Sequence, residues 1–180
     1  MAAEAGGATW YSVVEGEGLL QGDALEKCPV LLPPPADDLL AGKATVSGKV
    51  LEYDVIVVTH SCDLLQKQLE TVLVCPLLTL DEISQEKPNF AHKKMQEHMR
   101  QGHNPGYHML HTSTVEGLER PIRVADFHTI FSLPADFVKR IAVNNGKRLR
   151  LDSPYREDFS QAFARFFMRV ALPIEIPELG

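Results

Sequence analysis

The chain has 180 residues, the length of a single domain, and its 44% hydrophobic and 23% charged residues are close to the globular average. This composition excludes wholesale disorder, a collagen-like repeat and a coiled coil. The net charge is −6 at pH 7, a sign that does not attract polyanions over long distances. The charge is uneven, however, because residues 1–60 carry 3 basic and 9 acidic side chains, whereas residues 120–170 carry 10 and 5.

Three features predict the cellular compartment. Residues 1–10 lack the basic and apolar regions of a secretory signal, and apolar runs such as residues 55–58 are far shorter than a membrane span. The cysteines, Cys28, Cys62 and Cys75, are odd in number and have no CxxC spacing, which argues against disulfides. We therefore expect a cytoplasmic protein that does not contact the membrane.

The N-terminal half is predicted to form strands. Residues 10–25 mix β-formers with glycines, which indicates short extended pieces around tight turns. Residues 33–48 follow an apolar piece and begin with three prolines, so a surface loop is expected. Two apolar, β-branched runs at 53–59 and 71–76 are predicted to be central strands. The residues between them allow a short turn or helix at a strand end.

The following segment is charged and rich in helix formers. We predict a helix from Pro88 to about Gln101 with Gly102 as its C-cap, within a helical excursion that spans 82–105. Residues 107–111 alternate like a strand, and residues 120–129 resemble another.

A closing helix over 153–171 is the clearest predicted element. Ser153 is expected to cap it and Pro154 to take its first position. Its apolar residues follow at helical spacing: Tyr155, Phe159, Phe163, Phe166 and Val170. We expect residues 1–180 to form one domain that is mainly β with helices, an α+β arrangement.

Three short segments resemble the PemK/MazF family of small toxins. They are Gly22-Asp23, the valine-rich strand at 55–58 followed by Thr59, and Val-Leu-Val-Cys-Pro-Leu at 72–77. The segment 124–134 is also similar to that family's penultimate strand and its turn into a helix. The resemblance covers about half of the chain and implies a small SH3-like β-barrel with an inserted helix and a long C-terminal helix.

The same resemblance implies a site for cutting single-stranded RNA. The family uses an arginine beside the valine-rich strand and a Thr or Ser near the Pro-Leu strand. Thr79 approximately matches the hydroxyl residue, but no arginine occurs before Arg100. The segments THSCDL and RFFMRV are similar to parts of uncharacterised bacterial proteins, a similarity that implies no activity.

The most reactive side chains lie just after the first central strand. His60, Cys62 and Asp63 follow Thr59 there, and together with Thr79 they are the candidate catalytic residues. A nearby imidazolium or a helix N-terminus converts a thiol into the nucleophilic thiolate. The alternative is structural, with Asp63 or Ser61 as a helix cap, Cys62 as a small apolar residue and His60 in a local hydrogen bond.

The seven histidines do not predict a metal site. His108 and His111 are three apart on a strand and so face opposite sides, and the chain has no HxH or HExxH motif. We therefore expect no metal and no cofactor.

The candidate binding residues are arginines of the C-terminal half, which are expected to bind a ligand if they share one face. They are Arg120, Arg123, Arg148, Arg150, Arg165 and Arg169. Such a face would contact the phosphates of RNA, an acidic partner protein or the acidic N-terminal third of a second copy in a homodimer. Two hypotheses follow: a PemK/MazF-like enzyme of a toxin–antitoxin or phage-defence system that acts on RNA, or a non-catalytic module on the same fold that binds a partner protein.

Overall fold

The structure, a computed structural model, describes residues 9–42, 45–66 and 68–168. Helices and strands make up about 33% and 32% of these residues, so the fold is mixed α and β rather than mainly β. The strands are β1 Tyr11–Val14, β2 Ala24–Leu32, β3 Lys49–Val57, β4 Thr71–Thr79, β5 Tyr107–Leu110, β6 Arg123–Asp126, β7 Phe131–Pro134 and β8 Arg148–Leu151.

Six strands form an antiparallel sheet in the order β2-β3-β4-β6-β5, and β7 also pairs with β4. The predicted central strands correspond to β3 and β4, which are central and are buried at Val55, Val57 and Val74. Strands β1 and β8 form a separate two-stranded ribbon. Within the described residues the strands do not close into a barrel.

Helices connect and cover the strands. They are α1 Ala36–Leu40, α2 Ser61–Leu64, α3 Leu80–Glu86, α4 Lys93–Arg100, α5 Ala135–Asn145 and α6 Tyr155–Phe167, with a 3₁₀ turn at Pro88–Ala91. The predicted turn or helix after the first central strand is confirmed as α2. None of the helices in the described ranges is long and apolar enough to cross a bilayer.

The predicted loop at 33–48 contains a helix, so the loop prediction was wrong over α1. Pro35 precedes this helix and its carbonyl accepts hydrogen bonds from the amides of Asp38 and Leu39. Asp37 and Asp38 lie in the first turn, where negative charge complements the helix dipole. Pro35 therefore starts a short helix within the predicted loop.

The predicted helix from Pro88 to about Gln101 was right at its C-terminal end but wrong at its N-terminal bound, because Pro88 begins only a 3₁₀ turn and α4 starts at Lys93. Thr79 starts a helix earlier, because its hydroxyl and the Glu82 side chain form a reciprocal capping box at the N-terminus of α3. Pro88 then interrupts the helical path, since proline lacks an amide proton and disfavours helical geometry at Lys87, which has φ −134° and ψ 89°. Gly102 follows α4 at φ +70°, as a C-terminal residue in the left-handed region does.

The apolar face of α6 packs as the spacing predicted. Phe159 is fully buried, and Tyr155, Phe163 and Phe166 pack against the same core as Phe127. Val170 lies outside the described residues. The first turn differs from the prediction, because Pro154 rather than Ser153 precedes the helix and backbone carbonyls, not a Ser153 side chain, accept its first amides.

Candidate functional site

Two arginines of β8 bind a buried carboxylate. Asp23 is 0% exposed, and Arg148 Nε and Arg150 Nη2 donate to its Oδ2 at 3.0 and 2.8 Å. Arg148 also donates to the carbonyls of Gly16 and Gly18, at 2.9 and 2.6 Å, and Arg150 Nη2 donates to Gly18 at 2.8 Å. We call Asp23, Arg148 and Arg150 the Asp23 clamp; it fastens the β1–β2 loop to β8.

Gly22 allows this corner of the chain to form. Its φ is +87°, and a Cβ added there would lie 2.9 Å from the Cβ of Leu151. Its amide donates to Val57 O, while the amide of Val57 donates to Asp23 O, both at 2.9 Å. A side chain at position 22 would be strained and crowded, so glycine is required where the clamp meets β3.

Two further candidate arginines, Arg120 and Arg123, also lie near acidic residues of the N-terminal part of the chain. Arg120 forms an ion pair with Glu26. Arg123 is 3% exposed, and its Nη1 has no hydrogen-bond partner among the described residues; Asp54 Oδ2 is 4.0 Å away. Burial lowers the pKa of Arg123 from its usual value. Arg123 is therefore an internal cation rather than a surface contact for phosphate.

The last two candidate arginines belong to the end of the chain. Arg165 on α6 is exposed, with Nη2 3.9 Å from Asp158 Oδ1, and Arg169 lies outside the described residues. Arg165 is thus exposed to solvent, whereas Arg123 and Arg148 are buried. The structure does not bring the five candidate arginines among the described residues together on one exposed face.

The segment after β3 is held by local hydrogen bonds. Thr59 Oγ1 accepts from the amide of Leu73 at 2.6 Å, which anchors the strand end to β4. His60 is the N-cap of α2: its Nδ1 accepts from the amide of Cys62 at 3.3 Å, and its carbonyl accepts from the amide of Asp63 at 3.0 Å. The cap is thus His60, not Asp63 or Ser61 as the structural alternative had expected.

This arrangement limits what His60 does for the thiol. Because Nδ1 accepts a backbone amide, the neutral imidazole carries its proton on Nε2. The nitrogen nearest to Cys62 is therefore occupied by the backbone, and no thiol–imidazole hydrogen bond forms within the described residues. The Cys62 side chain itself is exposed.

The other two cysteines are buried, as their apolar surroundings predicted. Burial raises the pKa of Cys28 to about 11. It also raises the pKa of Cys75 well above its usual value, with Asp126 adding to the effect. Both remain thiols at neutral pH, so Cys62 is the accessible thiol of the three.

Thr79 lies far from the other candidate catalytic residues. It is six residues beyond Leu73 on β4, a separation of about 20 Å from the strand end anchored by Thr59. Its hydroxyl donates to Glu82 Oε2 at 2.8 Å within the capping box of α3. The structure therefore brings His60, Cys62 and Asp63 together on one short segment and places Thr79 elsewhere.

An open groove of about 560 Å³ separates α2 from the start of α6. We call it the α2–α6 groove, and it is lined by Leu20, Gln21, His60, Ser61, Leu65, Arg156, Glu157, Ser160 and Gln161. Gln21 is 4% exposed; its amide donates to Ser61 Oγ at 3.2 Å and its side chain to Val58 O at 2.9 Å. The groove offers hydroxyl, amide, imidazole and guanidinium groups for binding.

Sequence reasoning found His60 and missed the opposite wall of this groove. Arg156 and Ser160 flank the apolar face of α6 that contains Phe159, and Gln161 lies on the polar side of the helix. Helical spacing identifies that polar side, but it does not show which segment lies across from it. The Asp23 clamp was missed for the same reason, because its partners are 125 and 127 residues apart.

No group of three or more His, Cys, Asp or Glu side chains suited to hold a metal ion occurs in the described part of the chain. Comparisons with protein-family models, with curated proteins and with solved structures found no match to this chain.

Proposed function

We propose that the chain is a non-catalytic binding module on a PemK/MazF-like, SH3-like fold that holds a partner protein. The proposed fold is supported because the segments that resemble the PemK/MazF family lie next to one another in the structure. The valine-rich β3 pairs directly with β4, which contains the Val-Cys-Pro-Leu run, and Gly22-Asp23 forms the corner beside Val57.

The observation that carries the proposal is that most of the candidate arginines are buried or paired with acidic residues of the same chain. An RNA-cleaving site needs arginines that reach a scissile phosphate and stabilise its developing charge. Arg148 and Arg150 are instead engaged by Asp23, Arg120 by Glu26, and Arg123 is buried. The basic C-terminal half thus neutralises the acidic N-terminal part of its own chain.

The end of α6 is the surface that best fits a protein partner. Phe167 and Met168 are 59% and 77% exposed, and the exposed Arg165 precedes them in the last turn of α6. Aromatic and arginine side chains are enriched among the residues that dominate binding energy at protein interfaces, and methionine is common there. An acidic and apolar surface would complement this group.

One observation favours the second candidate, an enzyme of a toxin–antitoxin or phage-defence system that acts on RNA. The register of β4 and β6 places Arg123 opposite Thr79, and Arg123 also approaches Asp54 near the start of the valine-rich run. Arg123, which belongs to a later strand, thus lies near the valine-rich strand, although no arginine precedes that strand in the sequence. Arg123 is only 3% exposed, and the Thr79 hydroxyl is hydrogen-bonded to Glu82 within the helix cap. Both observations argue against catalysis.

Incubation with unstructured RNA, with and without divalent metal, separates the two candidates. The binding module leaves the RNA intact. Cleavage by the wild type that is lost in Thr79→Ala and Arg123→Lys would support the enzyme instead, whereas cleavage equal in both variants would indicate a contaminating nuclease.

A pull-down tests the partner surface. Phe167→Ser with Met168→Ser should lose a protein that the wild-type chain captures from cells of its own source. Leu40→Ser, which changes an 84% exposed leucine on α1, is the matched control and should retain it. Recovery of the bait alone, or equal capture by all variants, would contradict the proposed surface.

A further inference from the structure

A second cavity lies between α4, β5 and α6, and Arg165 belongs both to this cavity and to the surface proposed to bind a partner. Its volume is about 330 Å³, in the usual range for small-ligand sites. We call it the His108 cavity; the lining residues used below are Trp10, Arg100, Asn104, His108, Asp158 and Arg165. Polar groups that converge on one cavity are typical of ligand sites.

The imidazole of His108 has an unused nitrogen in this cavity. Its Nε2 is buried and has no hydrogen-bond partner among the described residues, and only 13% of the side chain is exposed to solvent. The ring packs against Phe127 and Phe159, with centroids 6.4 and 5.5 Å away. A buried nitrogen without a partner is costly, so a polar group at this position would stabilise the protein.

The position of Asp158 defines which polar group fits. Its Oδ2 is 4.0 Å from His108 Nε2, which is too long for a direct hydrogen bond. One oxygen about 2.8 Å from each atom would bridge them. Because the carboxylate only accepts, the bridging group must donate to it, and a hydroxyl can do so while it hydrogen-bonds the imidazole.

The charge state of His108 agrees with a neutral bridging group. Burial lowers the pKa of His108, and Arg165 lowers it further while Asp158 opposes the shift. The imidazole is therefore neutral at pH 7. A neutral ring and one carboxylate suit a hydroxyl better than a phosphate oxygen at this point.

Two guanidinium groups lie at the rim of the same cavity. Arg165 is exposed, and its Nη2 is 3.9 Å from Asp158 Oδ1, so it is held only loosely. Arg100 donates from Nε and Nη2 to Glu97, at 2.7 and 2.6 Å, which leaves Nη1 for another acceptor. Arginine side chains bind phosphate through charge-assisted hydrogen bonds.

We propose that the His108 cavity binds a phosphorylated sugar, with a sugar hydroxyl between His108 and Asp158 and the phosphate at Arg165 and Arg100. A free sugar phosphate and the ribose phosphate of a nucleotide share this chemistry. This ligand site goes beyond the partner-binding function proposed above and does not depend on it.

The single tryptophan of the chain provides the measurement, because Trp10 lines the cavity. Its fluorescence is titrated with ribose 5-phosphate, uridine 5′-monophosphate, ribose and inorganic phosphate. We expect saturable binding of ribose 5-phosphate, with ribose and phosphate at least about tenfold weaker. Tighter binding of uridine 5′-monophosphate would identify a nucleotide as the source of the sugar phosphate.

Variants locate the site. Asp158→Asn and Arg165→Gln should each weaken ribose 5-phosphate binding about tenfold. Arg140→Gln, on an exposed position of α5, is the control and should leave binding unchanged. His108→Phe should abolish binding; if this variant does not fold, the two substitutions at exposed residues still decide the question.

Three results would overturn the proposal. One is the absence of a saturable signal up to about 10 mM for both sugar phosphates. Another is equal affinity in Asp158→Asn, Arg165→Gln and the wild type. The third is binding of inorganic phosphate as tight as that of ribose 5-phosphate, which would mean that the cavity rim is a simple anion site.

Discussion

The Asp23 clamp and the α2 segment lie at the same end of β3, yet the fold treats their polar groups in opposite ways. Asp23 is fully buried and receives hydrogen bonds from two arginines. His60, Cys62 and Asp63 are exposed and their hydrogen bonds are local to one helical turn. Gln21, which bonds to Ser61, connects the two regions.

This difference separates structural charge from available chemistry. Removing one partner of a buried ion pair leaves the other charge in a medium of low dielectric constant, whereas exposed groups are solvated whether or not they are paired. Residue type alone suggested that the arginines bind a ligand. Burial and partners show that Arg148 and Arg150 tie the β1–β2 loop to β8, whereas the side chains of His60, Cys62 and Asp63 are exposed.

The largest expected effect is on the Asp23 clamp. Asp23→Asn removes the carboxylate and leaves Arg148, which is 2% exposed, without its counter-charge. We expect a loss of about 3–5 kcal/mol in the free energy of unfolding, measured with urea. Asp63→Asn, an acidic residue of the exposed region, is the control and should cost less than about 0.5 kcal/mol. Equal effects would erase the contrast between the two regions.

A smaller effect distinguishes the two buried arginines. Arg148 has partners for all three guanidinium nitrogens, whereas Nη1 of Arg123 has none among the described residues. Arg148→Met should destabilise by roughly 3 kcal/mol because Asp23 loses a partner. Arg123→Met should change stability by less than about 1 kcal/mol, or increase it, since a poorly paired buried cation is removed. Thermal or urea unfolding of both variants measures the difference, and a larger loss for Arg123→Met would be inconsistent with this ranking.

The change of stability with pH should be smaller than the effects of these substitutions. It should arise from His108, which lies outside both of the regions compared above. Burial lowers the folded-state pKa of His108, so the unfolded chain binds more protons below about 6.5, the pKa of an unperturbed histidine. Stability should therefore be fully present above pH 6.5 and decline as the pH falls toward the folded-state value. The groups that face this ring are Asp158 and Arg165.

His108→Phe removes this titration while it keeps an aromatic ring between Phe127 and Phe159. Urea unfolding at pH 7 and pH 5 should then show a shallower decline than the wild type. His98→Phe, at an exposed position of α4, is the comparison. If His108→Phe shows the same decline as the wild type, His108 does not titrate as its burial implies.

The smallest effect on stability is expected at Cys62. Cys62→Ser should cost less than about 0.5 kcal/mol, because the exposed side chain leaves no core cavity. In the folded protein at pH 8, a small electrophile should modify Cys62 first, since Cys28 and Cys75 are buried thiols with raised pKa values. Mass spectrometry locates the modification, and a fast reaction at Cys75 would contradict the assignment.

Local sequence signals predicted the elements well where one periodicity dominated. The valine-rich runs gave β3 and β4, and the spacing of aromatic residues gave α6 and its buried face at Phe159. The prediction failed where two local signals competed. Pro88 does take the first position of a helical turn, but the capping box at Thr79 had already started α3, so the proline begins only a short 3₁₀ turn between α3 and α4.

The candidate site was predictable only in part. The short segment that contains His60 and Cys62 was placed correctly at a strand end. The partners of Arg148 and Arg150 were not predictable, because no local pattern links β8 to a carboxylate at position 23. The same limit hid the His108 cavity, whose unused nitrogen depends on where α6 docks beside β5.

A double-mutant cycle between Asp23 and Arg148 tests most directly whether the arginines of β8 are internal ties. The free energy of unfolding is measured for the wild type, Asp23→Asn, Arg148→Met and the double variant. The account predicts a coupling energy of at least about 1 kcal/mol, within the range seen for residues in direct contact. A coupling below about 0.3 kcal/mol, the level of independent sites, would contradict it and return Arg148 to the set of residues available for a ligand.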